Sequence, residues 1–262
     1  MPLIYVFASS KMEAQPILAL AAKDESAQQG RAVMSDLGDN RFAVVITGMG
    51  TGNARIKADA ALGLTSSGAD GVRQATLKRD AVLVIGLCGG LTEAMREERI
   101  VVYTECLSAD KSPPLRCAPA LTDVILETLQ KHRITCDRVV GITSPRIASN
   151  RSEKLALARS GASVVDMETY QILSAAGRAG VPAAVLRIVG DPLDTNIPDF
   201  NSALNANGGL IGGKAIWIAL GSPFETWHLL IMNKRAMARL APAVKLILES
   251  NCFSNLNTPA RD

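Results

Sequence analysis

Three carboxylic acids sit where an apolar run gives way to a polar junction, and ligands of open α/β sheets gather at such strand ends. Gly190-Asp191-Pro192 closes the run Ala184-Val185-Leu186-Arg187-Ile188-Val189. Burial at the end of an apolar strand disfavours the charged form of a carboxyl group, so Asp191 is placed to keep a proton near neutral pH and act as a general acid. An Asp-Pro turn explains the same tripeptide without chemistry. In Val164-Val165-Asp166-Met167-Glu168 a short strand passes into a helix. Asp166 reads as its N-cap and Glu168 as a first-turn carboxylate, positions that favour acids for structural reasons alone. Functionally, the two oxygens of Glu168 suit the vicinal hydroxyls of a ribose. Ser10-Lys11-Met12-Glu13 matches a capping box, while Pro16 keeps Glu13 near the helix start, open toward the strand ends, where it could activate a water.

Two glycine-rich junctions accompany these acids. Thr47-Gly48-Met49-Gly50-Thr51-Gly52 follows the strand Phe42 to Ile46. Backbone N–H groups there can approach a phosphate, sulfate or sugar beside a helix N-terminus, and a tight turn needing positive φ explains the glycines equally well. Gly86-Leu87-Cys88-Gly89-Gly90-Leu91 follows Val82-Leu83-Val84-Ile85. There the main chain either lies flat against a planar ligand such as a base or simply turns. Cys88 has no activating base, because the two histidines, His132 and His228, sit at no comparable junction; it is expected to be a small buried cysteine rather than a nucleophile.

The elements that must position these residues are short apolar runs at 3–8, 42–47, 81–86, 100–104, 139–143 and 183–189, alternating with helical patterns at 53–64, 120–131 and 167–179. That alternation predicts an α/β fold with a sheet covered on both faces by helices. Residues 192–213 are dominated by Pro, Asp, Asn and Gly and read as a long loop. From Phe224 to Leu248 apolar residues recur at helical spacing, with Pro242 interrupting or ending the helix. This segment is expected to close the core or form a subunit contact in preference to lying on a membrane surface. With no repeat, low-complexity tract or linker, residues 1–262 read as a single domain with a C-terminal helical extension at 223–250.

Bulk composition excludes several classes. The 28 basic and 25 acidic residues are balanced, and 4% aromatic content leaves little for base stacking, so no nucleic-acid partner is expected. Five cysteines without a CxxC pair suit neither a disulfide framework nor a zinc site, which points to a reducing cytoplasm and no metal. The apolar opening at 3–8 is far shorter than the ~20 residues of a membrane span.

Taken in order, Glu13, Thr47-Gly48-Met49-Gly50, Gly89-Gly90-Leu91, Val165-Asp166-Met167-Glu168 and Asp191 resemble the purine nucleoside phosphorylase and uridine phosphorylase superfamily, especially its methylthioadenosine/S-adenosylhomocysteine nucleosidase branch. The resemblance implies a three-layer α/β/α sandwich around a mixed sheet, assembled as a homodimer or larger homo-oligomer. It implies that Asp191 protonates purine N7, Glu168 holds the ribose hydroxyls and Met167 packs on sugar and base, which leaves Glu13 as the candidate to activate the attacking water. Gly48, Gly50, Cys88, Gly89 and Ile147 are the further candidate substrate contacts. No cofactor is implied, only inorganic phosphate as co-substrate if the chain is a phosphorylase. Asp191-Pro192-Leu193-Asp194 with Pro198, Gly208, Pro223 and the terminal helix look more like the hopanoid-associated phosphorylase subgroup, taken to remove adenine from an adenosyl-lipid precursor. Phosphorylases of the superfamily place an arginine and a serine around the strand-end glycines, where this sequence has Val84 and Leu87. A dianion without an arginine fork binds poorly, so hydrolysis of a purine nucleoside, adenine-type and modified at its 5′ position, is expected over phosphorolysis. Two other classes compete. A Rossmann-type oxidoreductase is suggested by Gly48, Gly50 and Gly52, but Asp70 falls in a loop-like segment instead of closing the next strand. A nucleoside-binding module without turnover is the other.

Overall fold

The apolar runs become strands because β-branched residues buried on both faces favour the pleated backbone. The computed structural model describes residues 1–21, 33–37, 39–64 and 80–253; Asp70 lies outside them. The N-terminal half runs β1 (Leu3–Ala8), α1 (Lys11–Ala21), β2 (Val33–Leu37), β3 (Asn40–Ile46), α2 (Thr51–Ala61) and β4 (Ala81–Gly90). β5 (Ile100–Ser108), β6 (Leu115–Arg116), α3 (Pro119–Lys131), β7 (Cys136–Thr143) and α4 (Arg151–Ala158) follow. The chain then forms β8 (Val164–Asp166), α5 (Thr169–Ala179), β9 (Ala183–Asp191), α6 (Gly212–Gly221) and α7 (Pro223–Glu249).

These strands make a nine-stranded mixed sheet in the order β2-β3-β1-β4-β8-β7-β5-β6, with β9 pairing both β4 and β5. Because β9 bridges those two strands, β4, β9, β5, β7 and β8 close into a ring. α1, α3 and the C-terminal part of α7 pack on one side, burying Ala14, Leu121, Ile125, Leu240 and Val244 with Ile4 and Leu83. α2 and α5 cover the other side through Ala54, Ala58, Ile172 and Ala176 against Val82 and Val185. This is the expected three-layer arrangement.

Several local expectations need correction. Gly86 to Gly90 do not turn: β4 runs through them, Leu87 and Cys88 pairing with Ile188 and Val189, and Gly89 pairing with Asp191 across a bulge and with Val165 on the other side. Glycine reads as a turn signal in sequence, but paired on two sides its backbone hydrogen bonds belong to the ladder. α2 starts earlier and stops earlier than 53–64, and α5 begins at Thr169, two residues later than read. Pro242 neither ends nor interrupts α7, which continues to Glu249. Residues 192–213 hold a short 3₁₀ turn at Phe200–Ala203, a Leu204–Leu210 bridge and the start of α6, so they are not wholly a loop.

The C-terminal segment divides in two. Met232, Ala236, Met237, Leu240, Val244, Ile247 and Leu248 are buried against the sheet, as core closure requires. α6 buries none of its residues. Leu240→Ala is therefore expected to cost about 2–5 kcal/mol through the cavity it leaves, whereas Leu220→Ala should stay within about 0.5 kcal/mol. Denaturant midpoints of the two variants check this contrast.

Candidate active site

The closing of β4 onto β8 and β9 places the C-terminal ends of all three around one cavity of about 360 Å³, within the usual range for a small-molecule site. Ser9 and Glu13 reach it from the β1–α1 junction, Leu87, Cys88 and Gly89 from β4, and Asp166, Met167 and Glu168 from β8 and the residues that follow it. Asp191 enters from the end of β9, and Ile147 from the segment before α4. Seven of the residues singled out in the sequence, Glu13, Cys88, Gly89, Ile147, Met167, Glu168 and Asp191, thus line one cavity. Gly48 and Gly50 do not line it; Met49 does.

Gly50 works from behind. Its N–H donates to Glu168 Oε1 at 2.8 Å, with φ at +95° and a Cβ position that would lie 2.5 Å from the Gly208 backbone, so only glycine fits. Glu168, not Asp166 as expected, occupies the N-cap position of α5; Asp166, two residues earlier, still ties down the helix start by side chain, accepting from the N–H groups of Glu168 and Thr169 at 3.0 and 2.9 Å and from Tyr103 and Thr143 hydroxyls at 2.9 and 2.8 Å. With Asp166 holding the helix start, Glu168 lies just before α5 instead of inside its first turn, and its side chain is free to point away from the helix.

Glu13 keeps half of a capping box. Its N–H donates to Ser10 Oγ at 3.3 Å, but its carboxyl group turns to Ser9, accepting from the Ser9 N–H and hydroxyl at 2.7 and 2.6 Å. The other oxygen accepts from Leu87 N–H at 2.9 Å. Gly86, at φ +139°, leaves the room for this: a Cβ there would sit 2.6 Å from the Glu13 carboxyl carbon. Glu13 is thereby held by three donors with lone-pair capacity left toward the cavity.

Two cations that the motif reading passed over organise the acids. Arg187 is fully buried on β9, donating to Leu87 O and to Thr169 Oγ1 at 2.9 Å each, with Glu168 Oε2 at 3.7 Å and Asp166 Oδ2 at 3.9 Å. Burial works against its charge, but Asp166, Tyr103, Glu13 and Glu168 together hold its pKa above the ordinary value. A lone arginine inside the apolar run 183–189 was the available signal, since a charge on a buried strand needs partners. Lys154 on α4 is also fully buried; its Nζ lies 2.7 Å from Asp191 Oδ2 and donates to the Pro192 and Thr195 carbonyls at 2.6 and 3.1 Å. No local pattern marks it.

Protonation follows from these surroundings. Burial raises the pKa of Asp191 above its ordinary value, and the Lys154 ammonium partly offsets that rise. Burial also raises Glu168 to about 7, against the pull of Arg187. Cys88 is pushed well above the thiol range by burial, as an inert core cysteine should be. Val84 lies in the core away from the cavity, Leu87 is on its wall, and Arg146 is an exposed cation on that wall which the sequence reading did not single out.

Four carboxyl groups, those of Glu13, Asp166, Glu168 and Asp191, line this cavity. The sequence matches the phosphorylase superfamily over residues 3–207, and the chain belongs to that family of enzymes. No curated protein sequence matches it. Among solved structures it is similar to futalosine hydrolase of Helicobacter pylori, at 15% identity and TM-score 0.69, covering 95% of this chain and 99% of that one. It is likewise similar to 5′-methylthioadenosine/S-adenosylhomocysteine nucleosidase of Helicobacter pylori, at 17% identity and TM-score 0.69, covering 95% and 98%. The Neisseria meningitidis enzyme of the same description aligns at 14% identity and TM-score 0.71, covering 95% and 99%. These likenesses show the fold: a mixed sheet with helices on both sides.

Arg187→Met should destabilise the fold by about 3–5 kcal/mol, because it strands buried carboxyl groups. Wild-type Glu168 titrates near 7 with Arg187 beside it, and without that cation it holds its proton to higher pH, so the deficit relative to wild type should grow as pH rises through about 7 and only the wild type gains the ionised pair. Thermal unfolding across that pH range measures it; a pH-independent deficit would contradict the coupling.

Proposed function

We propose that the protein hydrolyses the N-glycosidic bond of a purine nucleoside, releasing the free base. The observation that carries this reading is the separation of tasks among three carboxyl groups lining one cavity: Asp191, Glu168 and Glu13. Asp191 is partly buried and has a single cationic partner among the described residues, so it can hold a proton for the leaving base and also release it. Proton transfer to purine N7 makes the base a better leaving group as the sugar gains oxocarbenium character. Glu168, braced by Gly50 N–H, accepts from the 2′- and 3′-hydroxyls. Met167 packs on sugar and base, while Cys88, Gly89 and Ile147 supply the flat surroundings of the base. Glu13, immobilised by Ser9 and Leu87, polarises the attacking water and stabilises the cationic sugar.

Water is favoured over phosphate by charge. A phosphate dianion at the sugar would face Glu13, Glu168 and Asp191, with Arg146 the one cation on the cavity wall among the described residues, and that one solvent-exposed. The nucleosidases and the futalosine hydrolase that share the fold are hydrolases by description, which supports the same choice. Phosphorolysis is the second reading, and Arg146 is the observation that favours it. The wall formed by Leu210, Leu229 and Leu230 suits an apolar 5′ substituent, a thioether or a lipid-like chain, on an adenine nucleoside.

Base release from adenine and inosine nucleosides should proceed without inorganic phosphate and yield free ribose-type sugar; strict phosphate dependence with a sugar 1-phosphate product would overturn hydrolysis. Asp191→Asn is expected to lower turnover by at least about a hundredfold with little change in substrate binding, and Glu168→Gln to impair both. Gripping both hydroxyls needs the Glu168 carboxylate, so KM for a ribonucleoside should fall as pH rises through about 7. Steady-state kinetics of base release over that range checks this.

A further inference from the structure

The α6–α7 hairpin carries apolar side chains that nothing among the described residues covers. Trp217 is 77% exposed, Phe224 88% and Trp227 67%, with Ile216 and Leu220 exposed beside them. α6 has the sequence of a buried helix, GGKAIWIALG, and yet none of its residues is buried. Soluble surfaces rarely leave so many large apolar groups together, so the patch marks a contact.

Charge selects the occupant. Residues 212–249 hold five basic residues, Lys214, Lys234, Arg235, Arg239 and Lys245, and two acids, Glu225 and Glu249, in a chain whose totals are 28 and 25. Arg235 and Lys245 have acidic partners in Glu98 and Glu249, and Lys214, Lys234 and Arg239 are exposed on the hairpin's flanks. Two copies meeting through this surface would bring like charges together. An anionic bilayer instead offers hydrocarbon for the apolar tip, headgroup depth for the tryptophans and negative charge for the lysines. No helix among the described residues is long and apolar enough to cross a membrane. We propose that the α6–α7 hairpin seats the protein on the surface of an anionic phospholipid membrane through Trp217, Leu220 and Phe224, beside the cavity wall that Leu229 and Leu230 of α7 provide. This proposal stands apart from the choice of nucleophile or substrate.

The chain's two tryptophans, Trp217 and Trp227, both lie on the hairpin, so tryptophan emission reports on this surface alone. Full-length protein is mixed with vesicles of phosphatidylcholine and phosphatidylglycerol in equal parts, or of phosphatidylcholine alone, and assayed by flotation and emission. Expected are co-flotation with the anionic vesicles, a blue shift of tryptophan emission, and weakening of both at high salt. The Trp217→Ser, Leu220→Ser, Phe224→Ser triple variant should lose affinity by about a hundredfold while keeping its thermal midpoint. Absence of vesicle binding by the wild type overturns the proposal, as does equal binding by the triple variant. A concentration-dependent dimer in sedimentation that the variant dissociates, without vesicle binding, would assign the surface to a second copy and overturn it too. Should the triple variant fail to fold, Trp217→Ser alone and the wild-type emission shift decide the same question.

Discussion

Everything at this site depends on two fully buried cations: Arg187 beside Glu168 and Asp166, and Lys154 against Asp191. A buried carboxyl group without a counter-charge simply takes up a proton, and a fully paired one gives up its proton for good. Here each is held between those limits. Burial pushes Glu168 to about 7 against the pull of Arg187, and pushes Asp191 upward against the pull of Lys154. Groups poised this way can change state during a reaction, which a surface carboxylate or a tight surface ion pair cannot do at neutral pH.

The sheet supplies the geometry that makes this affordable. β4 pairs with β9 along its length and with β8 at its end, so Gly89 stands between Val165 and Asp191. One backbone register therefore fixes Asp191 relative to Glu168, three residues beyond Val165. Gly86 opens space for the Glu13 carboxyl group and Gly50 for close approach to Gly208, so the glycines serve the acids at one remove. The cavity is a consequence of ring closure, and its chemistry a consequence of which side chains end those strands.

Much of this was legible in the sequence, and the reasons are physical. The six longer strands announced themselves because hydrophobic runs buried on both faces cannot be amphipathic. Asp191, Glu168 and Glu13 stood out because strand ends are where a fold of this type leaves polar groups facing a cleft. The short strand β2, Val33-Met34-Ser35-Asp36-Leu37, was missed because it is an edge segment with polar positions. The strand character of Gly86 to Gly90 was hidden because glycine's local preference for turns is overridden by pairing on two sides. Lys154 was invisible: its partner is 37 residues away, and only the folded chain brings α4 against the end of β9. The C-terminal segment was read as one helix with one task, whereas its buried half closes the core and its exposed half, with α6, offers an apolar surface.

The central claim is that Asp191 gives its proton to the leaving base and that Lys154 sets how firmly that proton is held. The pH dependence of kcat for base release, measured for wild type and Lys154→Met, tests this directly. Removing the ammonium takes away the interaction that favours the ionised carboxylate, so Asp191 should stay protonated to higher pH and the alkaline limb of the profile should move upward. A limb that stays in place, or moves to lower pH, would contradict the account.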